Sequence, residues 1–207
     1  GHYIFQPVHE LPDIRWKDLG QHISSIVPLD ANEKIINACG VADFKVDQYV
    51  LTITKNGQIK RTALAEFFVQ RYTKPLKMMN VKKDDVVIFA GIVEPTVEVY
   101  LTTYCRYAIR FELDEIQVTG IKTAGVKAMN LKDGDFIQAA NVIPEHHKGK
   151  VMIVTQRGAV KKMALDEVEL GNRALRGVLT LRELKKNPHR ICAVVYVEEG
   201  EGIPVSY

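Results

Sequence analysis

The chain has 207 residues, 46% of them hydrophobic and 26% charged, and its 28 Lys plus Arg stand against 25 acids for a net charge of +3. That supplies a core of ordinary globular composition, and no run approaches the roughly 20 apolar residues of a membrane span. So small a positive excess says little about a nucleic-acid partner; where the cations sit matters more.

The opening GHYIFQPVHELPD has neither a basic n-region nor a long apolar stretch, so no signal peptide is expected there. Cys39, Cys105 and Cys192 are widely spaced and form no CxxC or Cys/His metal pattern. They are expected to be buried thiols in a reducing cytoplasm.

Residues 49–66, YVLTITKNGQIKRTALAE, predict two strands, Tyr49–Thr54 and 58–64, joined at the Asn-Gly turn. Strands at 76–81 and 86–93 follow, separated by the KKDD turn. Residues 98–115, EVYLTTYCRYAIRFELDE, and 150–167, KVMIVTQRGAVKKMALDE, repeat the first stretch without gaps. Thr54, Thr103 and Thr155 align, as do Leu64, Leu113 and Leu165, then Glu66, Glu115 and Glu167. The second half of each unit is looser: HISSIVPLDANEKIINACGV, PLKMMNVKKDDVVIFAGIV, AGVKAMNLKDGDFIQAANVI and RGVLTLRELKKNPHRICAVVYV. In each, a turn sits between two apolar runs. The first ten residues fit the same frame, with Gly1 on Gly57 and Glu10 on Glu66. The chain is therefore expected to begin inside a repeat, as a piece of a longer protein with one strand cut away. β-branched and aromatic residues dominate the runs. The only helix-like stretch is LRELKKN, at most one or two turns before Pro188.

The expected fold is all-β: a propeller-like array of four-stranded units, about four blades, the first incomplete. The expected units are about 1–48 (partial), 49–97, 98–149 and 150–197, with a tail at 198–207, all within one domain.

The pattern T-x-x-G-x-x-(K/R)-(K/R)-x-x-L-x-E resembles the C-terminal domain of type IIA bacterial topoisomerase A subunits. The segment PVHELPDIRWKDLGQHISSIVPL is more similar to the topoisomerase IV branch than to gyrase, and the four visible repeats, against gyrase's six, point the same way. The resemblance covers essentially the whole chain. It implies a β-pinwheel, in which neighbouring blades exchange strands, and duplex DNA binding along a basic outer rim. It implies tethering to the rest of the A subunit, through which the ATPase B subunit is reached, in the cytoplasm at the nucleoid and away from membranes. The catalytic tyrosine, the acidic metal cluster, ATP and Mg2+ then belong to other parts of the holoenzyme, and this piece is neither an enzyme by itself nor in need of a cofactor. One departure is Arg106, which stands where the neighbouring units have Gly57 and Gly158, so its turn is expected to differ in geometry or length.

Two sets of cations are candidates for the DNA contact. After each hairpin turn come Lys60 and Arg61, Ile109 and Arg110, and Lys161 and Lys162, with Lys55, Arg106 and Arg157 flanking the turns. After the Glu come Arg71 and Lys74, Lys122 and Lys127, and Arg173 and Arg176, with Arg15 and Lys17 in the partial unit. Arg61, Arg110 and Lys162 carry most weight because they recur at one structural position. One cluster per blade gives cations along a curved path, which suits phosphate contacts without base readout.

Other candidates are declined. Tyr72 in RYT has the short context of a topoisomerase tyrosine but lies inside a repeat. His146 and His147 read as a linker without further metal ligands, and His9 and His22 as structural or solvent-facing. Asp133 and Asp135 read as a turn, and Trp16 as a blade-packing or partner-contact residue. There is no Walker A loop, nucleophile elbow or HExxH. Beside DNA binding by a topoisomerase IV domain, two readings stay open: a gyrase-type DNA-wrapping domain, and a protein-interaction propeller with incidental cations.

Overall fold

The computed structural model describes every residue except Pro28, Ala31, Tyr72, Thr73, Glu183, Glu199 and residues 201–207. Its strands are β1 (His2–Tyr3), β2 (Tyr49–Thr54), β3 (Gln58–Ala63), β4 (Leu76–Lys77), β5 (Val87–Val93), β6 (Val97–Thr103), β7 (Tyr107–Glu112), β8 (Val126–Lys127), β9 (Ile137–Pro144), β10 (Lys150–Thr155), β11 (Val160–Ala164), β12 (Val178–Leu179) and β13 (Ile191–Val197). The β2–β3 hairpin and β5 thus fall almost where the pattern of β-branched residues and the Asn-Gly turn put them.

The sheets are built across unit boundaries. One has the order β5-β2-β3-β8 and the next β12-β7-β6-β9. In each, the outermost strand comes from the following unit, paired antiparallel through Gln58↔Lys127 and Ile59↔Val126, or Val178↔Ala108 and Leu179↔Tyr107. The partial first unit offers the same edge in the same register, with β4 on β1 through His2↔Lys77 and Tyr3↔Leu76. The last sheet has three strands, β11-β10-β13. This exchange makes the array a pinwheel.

Each four-stranded sheet is covered on its inner faces by its neighbours, which explains its apolar content. Leu51, Ile53 and Ile59 of one sheet meet Val99, Leu101 and Phe111 of the next in one core. Tyr100, Ala108 and Ile143, from the other face of that second sheet, meet Val151, Ile153 and Met163 of the third. Alternating residues along β6 serve the two cores, and full burial of each large side chain stabilises by about 1.5–3 kcal/mol. The motif leucines Leu64, Leu113 and Leu165 are buried in short 3-10 turns at the ends of β3, β7 and β11.

Four expectations need correction. Arg106 does not change its turn: its amide bonds to Thr103 O at 3.0 Å, as Gly57 bonds to Thr54 O at 3.1 Å and Gly158 to Thr155 O at 2.9 Å. Arg106 takes the left-handed φ of +78° beside +85° and +73° at those glycines, at a strain of roughly 1–2 kcal/mol. The cysteines are not all buried: Cys105 is intermediate, and Cys39 and Cys192 are exposed. Cys192 lies on β13, at a face that no further sheet covers among the described residues. Residues 181–187 form bends rather than a helix, with Asn187 at φ +50° ahead of Pro188; Glu183 lies outside the described residues. The apolar run IINACGV forms no strand. Among the described residues no hairpin strand equivalent to β2 stands beside it, and it is held instead by contacts such as Asn37 Nδ2 donating to Ala90 O at 2.8 Å. No helix of the described residues is long and apolar enough to cross a membrane.

Candidate nucleic-acid interface

The hairpin cations lie inside the blades. Lys60 is 1% exposed, and its Nζ donates to Met78 O at 2.6 Å and Ile121 O at 2.5 Å. It therefore ties the exchanged segments of two successive units to β3. Burial lowers its pKa to about 8, against a smaller raising effect from Glu66. Arg61 is 8% exposed and stacks on Tyr49, with its guanidinium carbon 3.8 Å from the ring centroid. Arg110 is 6% exposed. Its Nε and Nη2 bind the two oxygens of Glu98, its Nη1 donates to Asp166 Oδ1 at 3.1 Å, and His147 Nε2 lies 3.1 Å from Nη2. Arg106 is also buried, with Nη1 donating to Arg182 O at 3.1 Å. Lys60, Arg61, Arg106 and Arg110 are thus not exposed rim contacts. A strand between two covered faces has no solvent parity, so the charges of Lys60, Arg61 and Arg110 are met by carbonyls, a ring and carboxylates; Arg106, in the β6–β7 turn, is met by carbonyls.

The residue on the neighbouring strand decides each case. Tyr49, Glu98 and Lys150 occupy equivalent positions, diagonally across from Arg61, Arg110 and Lys162. An aromatic face and a carboxylate each hold an arginine inside. A lysine cannot hold a lysine, and β11 has no fourth strand beside it among the described residues, so Lys162 is exposed.

Four more candidates are half-buried and engaged. Lys55 Nζ sits 4.2 Å from the Phe136 ring centroid, and Lys161 Nζ donates to Thr180 O and Glu167 Oε2, each at 3.1 Å. Arg173 donates to Glu115 O at 3.2 Å and Lys127 O at 2.9 Å, while Arg176 donates to Tyr107 OH at 2.7 Å. Arg71, Lys74, Lys122, Lys127, Arg157 and Lys162 are exposed. Four of these six come from the segments that supply or lead into the outermost strands β4 and β8. Arg157 is a turn residue, with Nη1 donating to Asn187 O at 3.3 Å.

Two of the motif glutamates are structural latches between units. Glu66 Oε2 accepts from Ile121 N at 3.0 Å and Glu115 Oε2 from Arg173 N at 2.9 Å. Glu167 instead accepts from its own Ala164 N at 3.1 Å. Asp135 Oδ1 accepts from Cys105 N at 3.0 Å and Phe136 N at 2.9 Å, which makes it a turn lock, and Asp85 does the same for Asn56 and Val86. Among the described residues no group of three metal-ligating side chains forms. His147 lies in the loop between β9 and β10 beside Arg110, and His22 Nδ1 lies 2.7 Å from Ser24 Oγ. Trp16 is 99% exposed and Leu19 97%. They project from a turn closed by Asp18 N donating to Arg15 O at 2.9 Å, so Trp16 packs in no blade. Tyr72 lies outside the described residues.

Sequence reasoning missed Lys77. It holds the same register position on β4 as Lys127 on β8, and a comparison of LKMMN with VKAMN carries the signal.

A family model described as DNA gyrase C-terminal domain, beta-propeller, matches residues 6–38, 48–94, 98–144 and 149–195. The A subunit of DNA topoisomerase 4 from Bacillus subtilis (strain 168) is 43% identical over 194 residues, covering 94% of this chain and 24% of that protein. The chain thus spans about a quarter of the length of this curated relative. The crystal structure of the C-terminal domain of DNA topoisomerase IV superposes with a TM-score of 0.92 at 48% identity, over 96% of this chain and 61% of the other. A DNA gyrase A C-terminal domain gives a TM-score of 0.72 at 23% identity, over 86% of this chain and 59% of the other, a likeness of fold alone.

Proposed function

The chain belongs to the DNA gyrase C-terminal domain, beta-propeller family, and from that premise we propose that it is the duplex-DNA-binding C-terminal part of the A subunit of a topoisomerase IV. It grips phosphates without reading sequence and holds DNA for relaxation and decatenation by the holoenzyme. The observation that carries this reading is the separation of the cations. The buried ones are engaged within the blades by carbonyls, a ring and carboxylates, while Arg71, Lys74, Lys122 and Lys127 are exposed on the segments of the outermost strands, with Lys162 on the edge strand β11. Duplex DNA carries about one charge per 1.7 Å of axis, so a row of cations on successive outer strands matches it better than one compact patch. Bending a 20–30 bp segment over such a row requires on the order of 1–6 kcal/mol, offset by the added phosphate contacts. Cleavage, the ATPase, ATP and Mg2+ belong to the B subunit and the remainder of the A subunit, and this piece takes no cofactor. The enzyme works in the cytoplasm, at the nucleoid.

The test is duplex binding across a salt series with two unrelated sequences. With about 6 phosphates neutralised, log K falls against log salt with a slope of roughly −5, and the two sequences bind alike. A second reading, a protein-interaction module without DNA binding, is favoured by the exposed Trp16 and Leu19. It requires that no duplex be retained even at low salt, and that result would overturn the first reading.

A further inference from the structure

The outermost strands carry a feature that recurs and is exposed, unlike most of the recurring cations. On β4, Lys77 Nζ donates to Asn80 Oδ1 at 3.1 Å; on β8, Lys127 Nζ donates to Asn130 Oδ1 at 2.8 Å. Both lysines sit at the second position of their strand, opposite His2 and Gln58 in one register. Both asparagines are anchored through the backbone to the following unit, Asn80 N to Thr123 O at 3.0 Å and Asn130 N to Leu175 O at 2.8 Å. All four residues are exposed.

We infer that Lys77–Asn80 and Lys127–Asn130 are two equivalent phosphate-binding seats for the DNA backbone. An ammonium only donates, so it turns the amide oxygen of Asn inward, and the amide NH2 is left beside two remaining ammonium protons. Donors of both kinds then face solvent together, and their complement is an anion with more than one acceptor oxygen. The anchored asparagine holds the ammonium in place, so less side-chain freedom is lost on binding than with an unheld lysine. No carboxylate lies within ion-pair distance of either lysine among the described residues. Two copies on successive outer strands call for a ligand with repeated phosphates. The third outer strand, β12, carries Leu179 at this position, so the seats number two among the described strands.

This inference rests on the DNA-binding reading, and the experiment separates the two. Duplex affinity is measured across salt for the unaltered chain, for K77M with K127M, for N80L with N130L, and for K82M with K83M, which removes two exposed lysines from the KKDD turn. The K77M/K127M variant is expected to lose about 2 from the salt slope and at least tenfold in affinity at moderate salt. The N80L/N130L variant keeps its slope and loses severalfold in affinity. Unchanged thermal unfolding of each variant shows that the fold is intact. If the unaltered chain binds no duplex, the DNA reading itself fails. If it binds but K77M/K127M behaves like K82M/K83M, or N80L/N130L like the unaltered chain, the seats are wrong and the DNA reading stands.

Discussion

Replacing Gly177 by Ala is expected to destabilise the protein by about 3 kcal/mol, the sum of left-handed backbone strain and overpacking. Gly177 and Gly125 stand immediately before the exchanged strands β12 and β8, both at φ +82°. A Cβ at Gly177 would collide with the carbonyl of Ala108, and one at Gly125 with that of Ile59. The obstacle is the backbone of the preceding unit's second strand, which cannot swing away like a side chain. For a chain of this size the loss lowers Tm by about 6–12 °C. Gly158 is the comparison: its φ is +73°, but nothing lies within 4 Å of its Cβ position, so Gly158→Ala carries only the strain of roughly 1–2 kcal/mol. Thermal unfolding of the two variants tests the exchange, and equal losses would mean that β12 does not approach β7 as closely as described.

Replacing Arg110 by Met is expected to lower stability by about 3 kcal/mol, because a half-buried carboxylate loses both its guanidinium hydrogen bonds and keeps only His147 among the described residues, 4.0 Å away. Glu98 is 15% exposed and takes two hydrogen bonds from the guanidinium. Arg110 also reaches Asp166, but that side chain is 88% exposed and recovers its hydration when the arginine is removed. Glu98→Gln should recover part of the loss in the double variant, since the unpaired charge is then gone. Lys162→Glu, at the equivalent exposed position, should stay within about 0.5 kcal/mol. An Arg110→Met variant that unfolds at the unaltered temperature would contradict the ion-pair assignment. It follows that reversing Arg61, Arg110 and Lys162 together would damage the blades, and a loss of DNA binding in that variant would report unfolding.

These two positions mark what the sequence could and could not reveal. The hairpins were legible because turn chemistry is local: Thr54 Oγ1 accepts from Gln58 N at 3.0 Å, and Thr103 Oγ1 repeats this for Tyr107 at 3.2 Å. The repeat frame was legible from Thr, Leu and Glu: all three leucines enter the core, Thr54 and Thr103 close their turns, and Glu66 and Glu115 latch the next unit. The roles of the cations were not. Recurrence of Arg61 and Arg110 at one position suggested a shared surface, yet what recurs is a shared partner position, Tyr49 or Glu98, on the neighbouring strand. In a sheet covered on both faces, strand parity does not separate inside from outside, and a charge is as recurrent in a clamp as on a rim. The looser set after the Glu is the more exposed because the exchanged strands, only two residues long, lie at the sheet edge. Their alignment was hard to see for the same reason: short edge segments carry few apolar constraints.

The most direct measurement is acetylation of the lysines by a small reagent with and without saturating duplex, read residue by residue. DNA lying along the outer strands should protect Lys74, Lys122 and Lys127 and leave Lys82 and Lys83, on the turn beside Asp85, as reactive as before. Protection of Lys82 and Lys83 equal to that of the outer lysines, or no protection anywhere while the duplex is bound, would contradict it.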